Sequence, residues 1–307
     1  MYPRLSDLFK DLFGIALPIP IYSFGAMVAV AVLVASWLTA RELDRRYKAG
    51  MLAGVLVRER DSRGRSQMRK ASPSTLVGTM TLVAVGAGFV GAKIFHILEN
   101  LDTFVLDPVG MIFSTGGFTF YGGLIFGAMG VILYARQKGI PVPTLADAAA
   151  PGLMLAYGIG RIGCHLAGDG DWGIAANVAA KPDWLPMWLW AESYPRAIIG
   201  PPPAPVYPTP LYEFAMATLF FGVLWALRRH SFLPGWLFSL YLVLNGLERF
   251  LIEQIRVNNH FSLLGLQVTQ AEVIAVLLMI GGLIGLFLTS RREGVRNPAP
   301  VSEASGS

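Results

Sequence analysis

Charge is scarce in this chain of 307 residues: Asp, Glu, Lys and Arg together make 15% of it, against 54% hydrophobic residues. Soluble domains run near 25% charged, so the deficit excludes an ordinary soluble fold and points to an integral membrane protein. Cysteine is scarcer still. A single Cys164 excludes an internal disulfide and any thiolate metal cluster. Lys and Arg are also missing from particular places. The stretches 99–117 and 257–267 contain none, whereas the basic residues crowd into 41–70, 136–138, 228–229 and 291–296. By the positive-inside rule this places the N-terminus outside and the C-terminus in the cytoplasm. The net charge of +5 is thereby explained by topology, and no nucleic-acid partner is expected. No cleavable signal peptide is expected in 1–20, where scattered charges and prolines precede an apolar run long enough to span.

What is present is a series of apolar segments, at 21–40, 76–98, 118–135, 145–166, 210–227, 235–255 and 271–289. Each is close to the roughly 20 residues that cross a bilayer as a helix. The expected fold is an all-α integral membrane protein with seven transmembrane helices. Residues 1–20 read as an outer interfacial segment, with Leu5, Leu8, Phe9, Leu12 and Phe13 at amphipathic helical spacing. Spans one to four occupy 21–166, with a basic cytoplasmic loop at 41–75. A small outer-surface head follows at 167–209, carrying Trp172, Trp184, Trp188 and Trp190, a residue type that concentrates at headgroup level. Spans five to seven fill 210–289, and 290–307 reads as a disordered cytoplasmic tail.

With that topology, the polar residues inside spans gather at outer ends: Tyr22, Lys93, His96, Tyr121, Arg161, His165, Tyr212, Glu213, Arg249, Glu253, Arg256 and Glu272. Arg161 stands in an apolar segment, where an unpartnered charge costs up to about 3 kcal/mol at mid-bilayer. The glycines around it, among them Gly160 and Gly163, leave room for close helix contact or for a ligand against the backbone. A guanidinium in open space suits a phosphate headgroup, because its planar fork of donors matches an oxyanion. The other reading is that Arg161 neutralises an acid on a neighbouring helix and the glycines are packing contacts. On the sixth span, Asn245, Arg249, Glu253 and Arg256 fall in one stripe at about 100° per residue. Such a stripe faces protein or a wet cavity, although Arg249 and Glu253 also have the spacing of a self-neutralising pair. Asp169 and Asp171, in Gly-Asp-Gly-Asp, read as a turn and not as a metal site. Cys164 reads as a packing residue. No metal or cofactor is expected.

Four motifs then carry a family resemblance. GRIGCHLAGDGDWG at 160–173, GGFTFYGGLIFG at 116–127, YPTPLYE at 207–213 and ERFLIEQIR at 248–256 are, in order, similar to segments of the phosphatidylglycerol–prolipoprotein diacylglyceryl transferase family. Three positions depart from the family pattern: Tyr121 stands where it has histidine, Cys164 where it often has asparagine, and Phe24 near where it has tyrosine. The resemblance implies a bacterial inner-membrane enzyme with its active site towards the outer leaflet. It would move diacylglyceryl from phosphatidylglycerol to the lipobox cysteine of an exported prolipoprotein, releasing glycerol phosphate. It also implies Arg161, Arg249 and Tyr121 as catalytic residues. Gly122, Gly123, Gly160, Gly163, His165, Asp169, Tyr212, Glu213, Glu253 and Arg256 would bind substrate, Glu253 by orienting an arginine. The proton acceptor stays open between His165, His96, ambient hydroxide and Tyr121, with Tyr121 read first as a hydrogen-bond donor. A related transferase with another acceptor and a transporter of an anionic amphiphile are the competing functions.

Overall fold

The computed structural model describes residues 2–15, 18, 20–60, 66–114, 116–258, 260–263 and 266–290. The expected tail, Ser290 apart, lies outside them, as do Arg63 and Arg65 of the basic loop. Chain order runs α1 (Leu5–Phe13), α2 (Ser23–Lys48), β1 (Val55–Arg60), β2 (Ser66–Ala71), α3 (Val77–Glu99), α4 (Leu101–Leu106), α5 (Pro108–Phe113) and α6 (Phe120–Gln137). It continues with α7 (Val142–Ala167), α8 (Met187–Trp190), α9 (Thr209–Leu227), α10 (Trp236–Glu253), β3 (His260–Leu263), β4 (Leu266–Thr269) and α11 (Gln270–Thr289). The protein is mostly helical. Two antiparallel hairpins, β1–β2 and β3–β4, qualify the all-α expectation.

Seven of the helices have 18 residues or more. Four helical stretches, Ser23–Lys48, Pro73–Glu99, Thr209–Leu227 and Gln270–Thr289, are long and apolar enough to cross a membrane. The remaining three long helices are more polar: α7 carries Asp147 and Arg161, α10 carries Glu248, Arg249 and Glu253, and α6 ends in Arg136 and Gln137. The molecule is a multi-pass membrane protein.

Helix pairs form where small residues let backbones approach, as expected when lipid offers no hydrophobic drive between helices. α2 lies along α7, α3 along α6, α7 along α9, and α10 along α11. A Cβ at Gly91 of α3 would sit 2.5 Å from the Gly122 carbonyl oxygen of α6, and one at Gly246 of α10 would sit 2.6 Å from that of Ala275 on α11. Two apolar cores result. One joins Leu43, Val55, Val77, Met80, Ala135, Ile140, Leu145 and Ala148 where α2, α3, α6 and α7 converge on the β1–β2 hairpin. Another, around Met154, Ala217, Leu224 and Leu237, holds α7, α9 and α10 together.

The hairpin end also buries charge. Glu42 accepts from Arg45 Nε at 2.9 Å and from Arg46 Nε at 3.1 Å. Asp147, fully buried on α7, accepts from the backbone N–H groups of Gly235 and Phe238, each at 2.9 Å. Gly235 occupies the N-cap of α10 and has no side chain to cap it, so a carboxylate from another helix serves the open N–H groups. Arg46 and His230 lie 3.9 and 3.6 Å from the same Asp147 oxygen. Removing Asp147 strips α10 of its cap and leaves Arg46 without one of its acids. Asp147→Ala is expected to lower the melting temperature in detergent well beyond Asp44→Ala, which breaks only the surface contacts of Asp44 with Lys48 and Ser72. Equal shifts in thermal unfolding would show that the cap carries no weight.

Candidate active site

At the opposite end of the bundle, α7 stops at Gly168, whose φ of +63° supplies the left-handed C-cap and whose N–H bonds the Cys164 carbonyl at 2.9 Å. The chain turns back through Asp169, whose Oδ1 accepts from the Asp171 N–H at 3.2 Å. It then threads between the start of α9 and the end of α10. Gly173 N–H bonds the Tyr207 carbonyl at 2.9 Å, and Ile174 N–H bonds that of Ile255 at 2.8 Å. A Cβ at Gly173 would fall 2.7 Å from the Ile255 oxygen, so this threading needs glycine. Thr209 Oγ1 donates to the Asp171 carbonyl at 2.8 Å. Together these contacts deliver the Asp171 side chain between two arginines.

The result is a closed ring of charges. Arg161 Nη1 meets Asp171 Oδ2 at 2.5 Å, and its Nε meets Glu213. Arg256 Nη2 meets the other Asp171 oxygen, while its Nη1 meets Glu213 Oε1 at 3.3 Å. Two guanidiniums thus share two carboxylates, and the ring is neutral. Glu213 is fully buried and also accepts from the Tyr157 hydroxyl at 2.9 Å. The Tyr157 ring lies beneath Arg161, 5.0 Å from centroid to guanidinium carbon, a cation–π contact. Arg249 belongs to a separate pair with Glu253, at 2.9 Å, and Glu253 accepts from Asn258 at 2.6 Å.

Burial pushes the Asp171 carboxyl up, but Arg256 and Arg161 outweigh it and hold the group below the usual carboxylate range. Asp169, without such partners, is raised by burial. Cys164, Asp169 and Asp171 have ligand atoms within 4.8 Å of one another. Both Asp171 oxygens are taken by arginines, so a divalent ion there would have to displace a guanidinium.

The other predicted residues fall into distinct places. Gly160 faces open space, whereas Gly163 packs on Phe24 and Met27 of α2, and Gly122 and Gly123 pack on α3. The expected open volume is therefore confined to Gly160 among these four. His165 Nδ1 lies 3.0 Å from the Tyr194 hydroxyl. Tyr194 is buried, lies against the Trp172 ring at 4.9 Å, and has a φ of +47°, in the region that favours glycine. Tyr212 donates to the Leu189 carbonyl at 2.7 Å and so anchors α8. Tyr121, in the first turn of α6, is partly exposed and touches the Phe120 ring. Lys93 donates to the Ser114 hydroxyl at 2.7 Å and to the Gly116 carbonyl at 2.9 Å. Glu272 forms a capping box with Thr269 at the start of α11. Lys93 and Glu272 are thereby engaged locally, outside the arginine ring. Tyr157, Asp171 and Glu248 were not among the predicted site residues. Asp171 was read as a turn, although an aspartate ten residues past a buried arginine is a natural counter-ion.

Long apolar helices with a ring of two arginines and two carboxylates at one end define a multi-pass membrane protein with a largely buried cluster of paired charge. The family model described as prolipoprotein diacylglyceryl transferase matches residues 10–288, and the chain belongs to this family of membrane transferases. It is 31% identical over 301 residues to the phosphatidylglycerol–prolipoprotein diacylglyceryl transferase of Corynebacterium efficiens, covering 94% of this chain and 83% of that protein. Over 281 residues it is 31% identical to the enzyme of that name from Leptospira interrogans, covering 83% and 77%. Transferase 1 of Streptomyces coelicolor is 29% identical over 300 residues, covering 94% and 76%.

Because the folded carboxyl of Asp171 is depressed, its stabilisation is fully present above the unfolded value of about 3.9 and is lost as pH falls through the lower folded value. Asp171→Asn should therefore melt below the wild type at neutral pH, and the gap should close as pH is lowered beneath about 4. A gap that stays constant across the titration would contradict the ion pairing.

Proposed function

We propose that the protein transfers the diacylglyceryl group of phosphatidylglycerol to the lipobox cysteine thiol of exported prolipoproteins, forming a thioether and releasing glycerol phosphate. The observation that carries this reading is the ring in which Arg161 and Arg256 share Asp171 and Glu213 beside the open face at Gly160. A phosphate, like a carboxylate, presents two oxygens to a bidentate guanidinium, so a donor headgroup can exchange into a fork already aimed by the ring. In the reaction the acceptor thiol, with an unperturbed pKa of about 8.5, gives its proton to a histidine, His165 or His96, or to ambient hydroxide. Its sulfur bonds to the glyceryl carbon, the carbon–oxygen bond to phosphate breaks, and the leaving phosphate takes the electron pair. Arg161 would stabilise the charge gathering on that oxygen. Arg249, held by Glu253, would be the second cation of the site. Gly122, Gly123 and Gly163 would act through the close helix approach that shapes it, and Asp169, His165 and Tyr212 through the head that closes over it. Tyr121 would position donor phosphate or thiol by a hydrogen bond.

In this reading all seven long helices span the inner membrane, the N-terminus lies outside, and the ring faces the outer leaflet. The basic residues support that orientation, since Arg41, Arg45, Arg46 and Lys48 end α2 and Arg228 and Arg229 follow α9, all remote from the ring. A transporter would need access to a central site from both sides. Here the apolar core and the Glu42 and Asp147 contacts close the end opposite the ring.

The direct test incubates the purified protein with phosphatidylglycerol and a lipobox peptide and looks by mass spectrometry for the thioether. Its absence with active-family controls running in parallel would reject the assignment. In the same assay Arg161→Lys should be nearly as inactive as Arg161→Ala, because a point charge cannot bridge two acceptors as the fork does. Tyr121→Phe should slow turnover roughly ten- to a hundredfold without abolishing it. Orientation is checked separately. In a Cys164→Ala background, Thr103→Cys and Ser193→Cys should react with impermeant thiol reagents on intact cells and Ser66→Cys should not, and labelling at 66 would reverse the topology.

A further inference from the structure

Behind the ring lies a carboxyl group that the reaction chemistry does not use. Glu248, on α10, is fully buried. The arginines nearby are already matched: Arg161 and Arg256 with Asp171 and Glu213, and Arg249 with Glu253. Glu248 Oε1 lies 3.2 Å from the Tyr157 hydroxyl, and its Oε2 has no hydrogen-bond partner among the described residues. The groups facing it are Tyr157 and Arg161 from α7 and Glu213 from α9, with Tyr241 and Arg249 on its own helix.

Tyr157 has one hydroxyl hydrogen and two carboxyl neighbours. That hydrogen goes to Glu213, the shorter contact at 2.9 Å and the group held by both arginines. An ionised Glu248 would then set an oxygen lone pair against the lone pairs of the phenol. It would also bury a charge whose nearby cations are already matched by other acids and which has one bare oxygen, a costly arrangement. A proton on Glu248 removes both penalties, because the acid O–H donates to the Tyr157 oxygen.

We propose that Glu248 is kept as a neutral carboxylic acid and acts as a positioning residue, its O–H fixing the Tyr157 hydrogen onto Glu213. The relay runs Glu248 to Tyr157 to Glu213, each group donating to the next. Two consequences bear on the site. Glu213 keeps Tyr157 and Arg256 as partners when a phosphate oxygen takes its place on Arg161. The ring also keeps two negative charges and not three, so an anionic donor meets no added repulsion from behind. This deepens the transferase reading and rests on it only for the kinetic measurements below.

The decisive experiment is infrared difference spectroscopy of wild type against Glu248→Gln at pH 7, read in H2O and D2O. The expected result is the C=O stretch of a neutral carboxylic acid, shifted in D2O and lost in the variant. Carboxylate bands in its place would overturn the proposal whether or not the protein transfers lipid. If wild type yields no thioether, the transferase reading fails while the spectrum still decides the state of Glu248. Kinetically, Glu248→Gln, whose amide can still donate to Tyr157, should hold kcat within about threefold, while Glu248→Leu and Tyr157→Phe should lose about tenfold or more, one hydrogen bond's worth. KM for the anionic donor should rise at alkaline pH in the wild type and not in Glu248→Gln. A Gln variant as impaired as Leu, or an alkaline rise in KM that survives in it, would overturn the positioning role.

Discussion

Two guanidiniums sharing two carboxylates in a mostly buried setting is the constraint to which the arginine end of this protein conforms. Removing one partner of a buried pair typically costs about 3–5 kcal/mol, because the charge left behind has lost its water and gained nothing. Each corner of the ring comes from a different segment: Arg161 from α7, Asp171 from the turn after it, Glu213 from the second turn of α9, and Arg256 from just beyond α10. Satisfying all four at once fixes how the turn threads, where Gly173 must lie and how α9 meets α10. The ring is therefore a structural clasp, and the proposed binding of the donor phosphate would use the same guanidinium donors.

The two ends of the bundle solve the same electrostatic problem for different purposes. At the hairpin end, Glu42 and Asp147 bind arginines and a helix N-terminus under an apolar core. At the ring end the partners are held as tightly, yet Gly160 leaves space beside Arg161.

Much of this was legible in the residues themselves. Long apolar runs located the seven long helices because a helix in lipid must be apolar along most of its length. The clustering of Arg161, Glu213, Glu253 and Arg256 at one end followed from counting depth along those runs. The hairpins were not legible, since 55–71 is too polar and short to declare a strand pair without its partner in view. Nor were the glycines separable: Gly122 and Gly160 look alike in sequence, yet one meets a neighbouring backbone and the other meets space. Tyr157 and Glu248 were passed over because an isolated tyrosine or glutamate in a span reveals its role only when the facing helix is known.

The clasp also has a history written into its spacing. As the chain enters the membrane in order, Arg161 finds its first acid only ten residues later, at Asp171. Glu213 follows with the next long helix, and Arg256, which lies 85 residues beyond Asp171, comes last. A short local pair can neutralise Arg161 while it is still within the insertion machinery. The second arginine then converts that provisional pair into a ring. In chain order the site is thus completed as two successive pairings, Asp171 matching Arg161 and Arg256 matching Glu213.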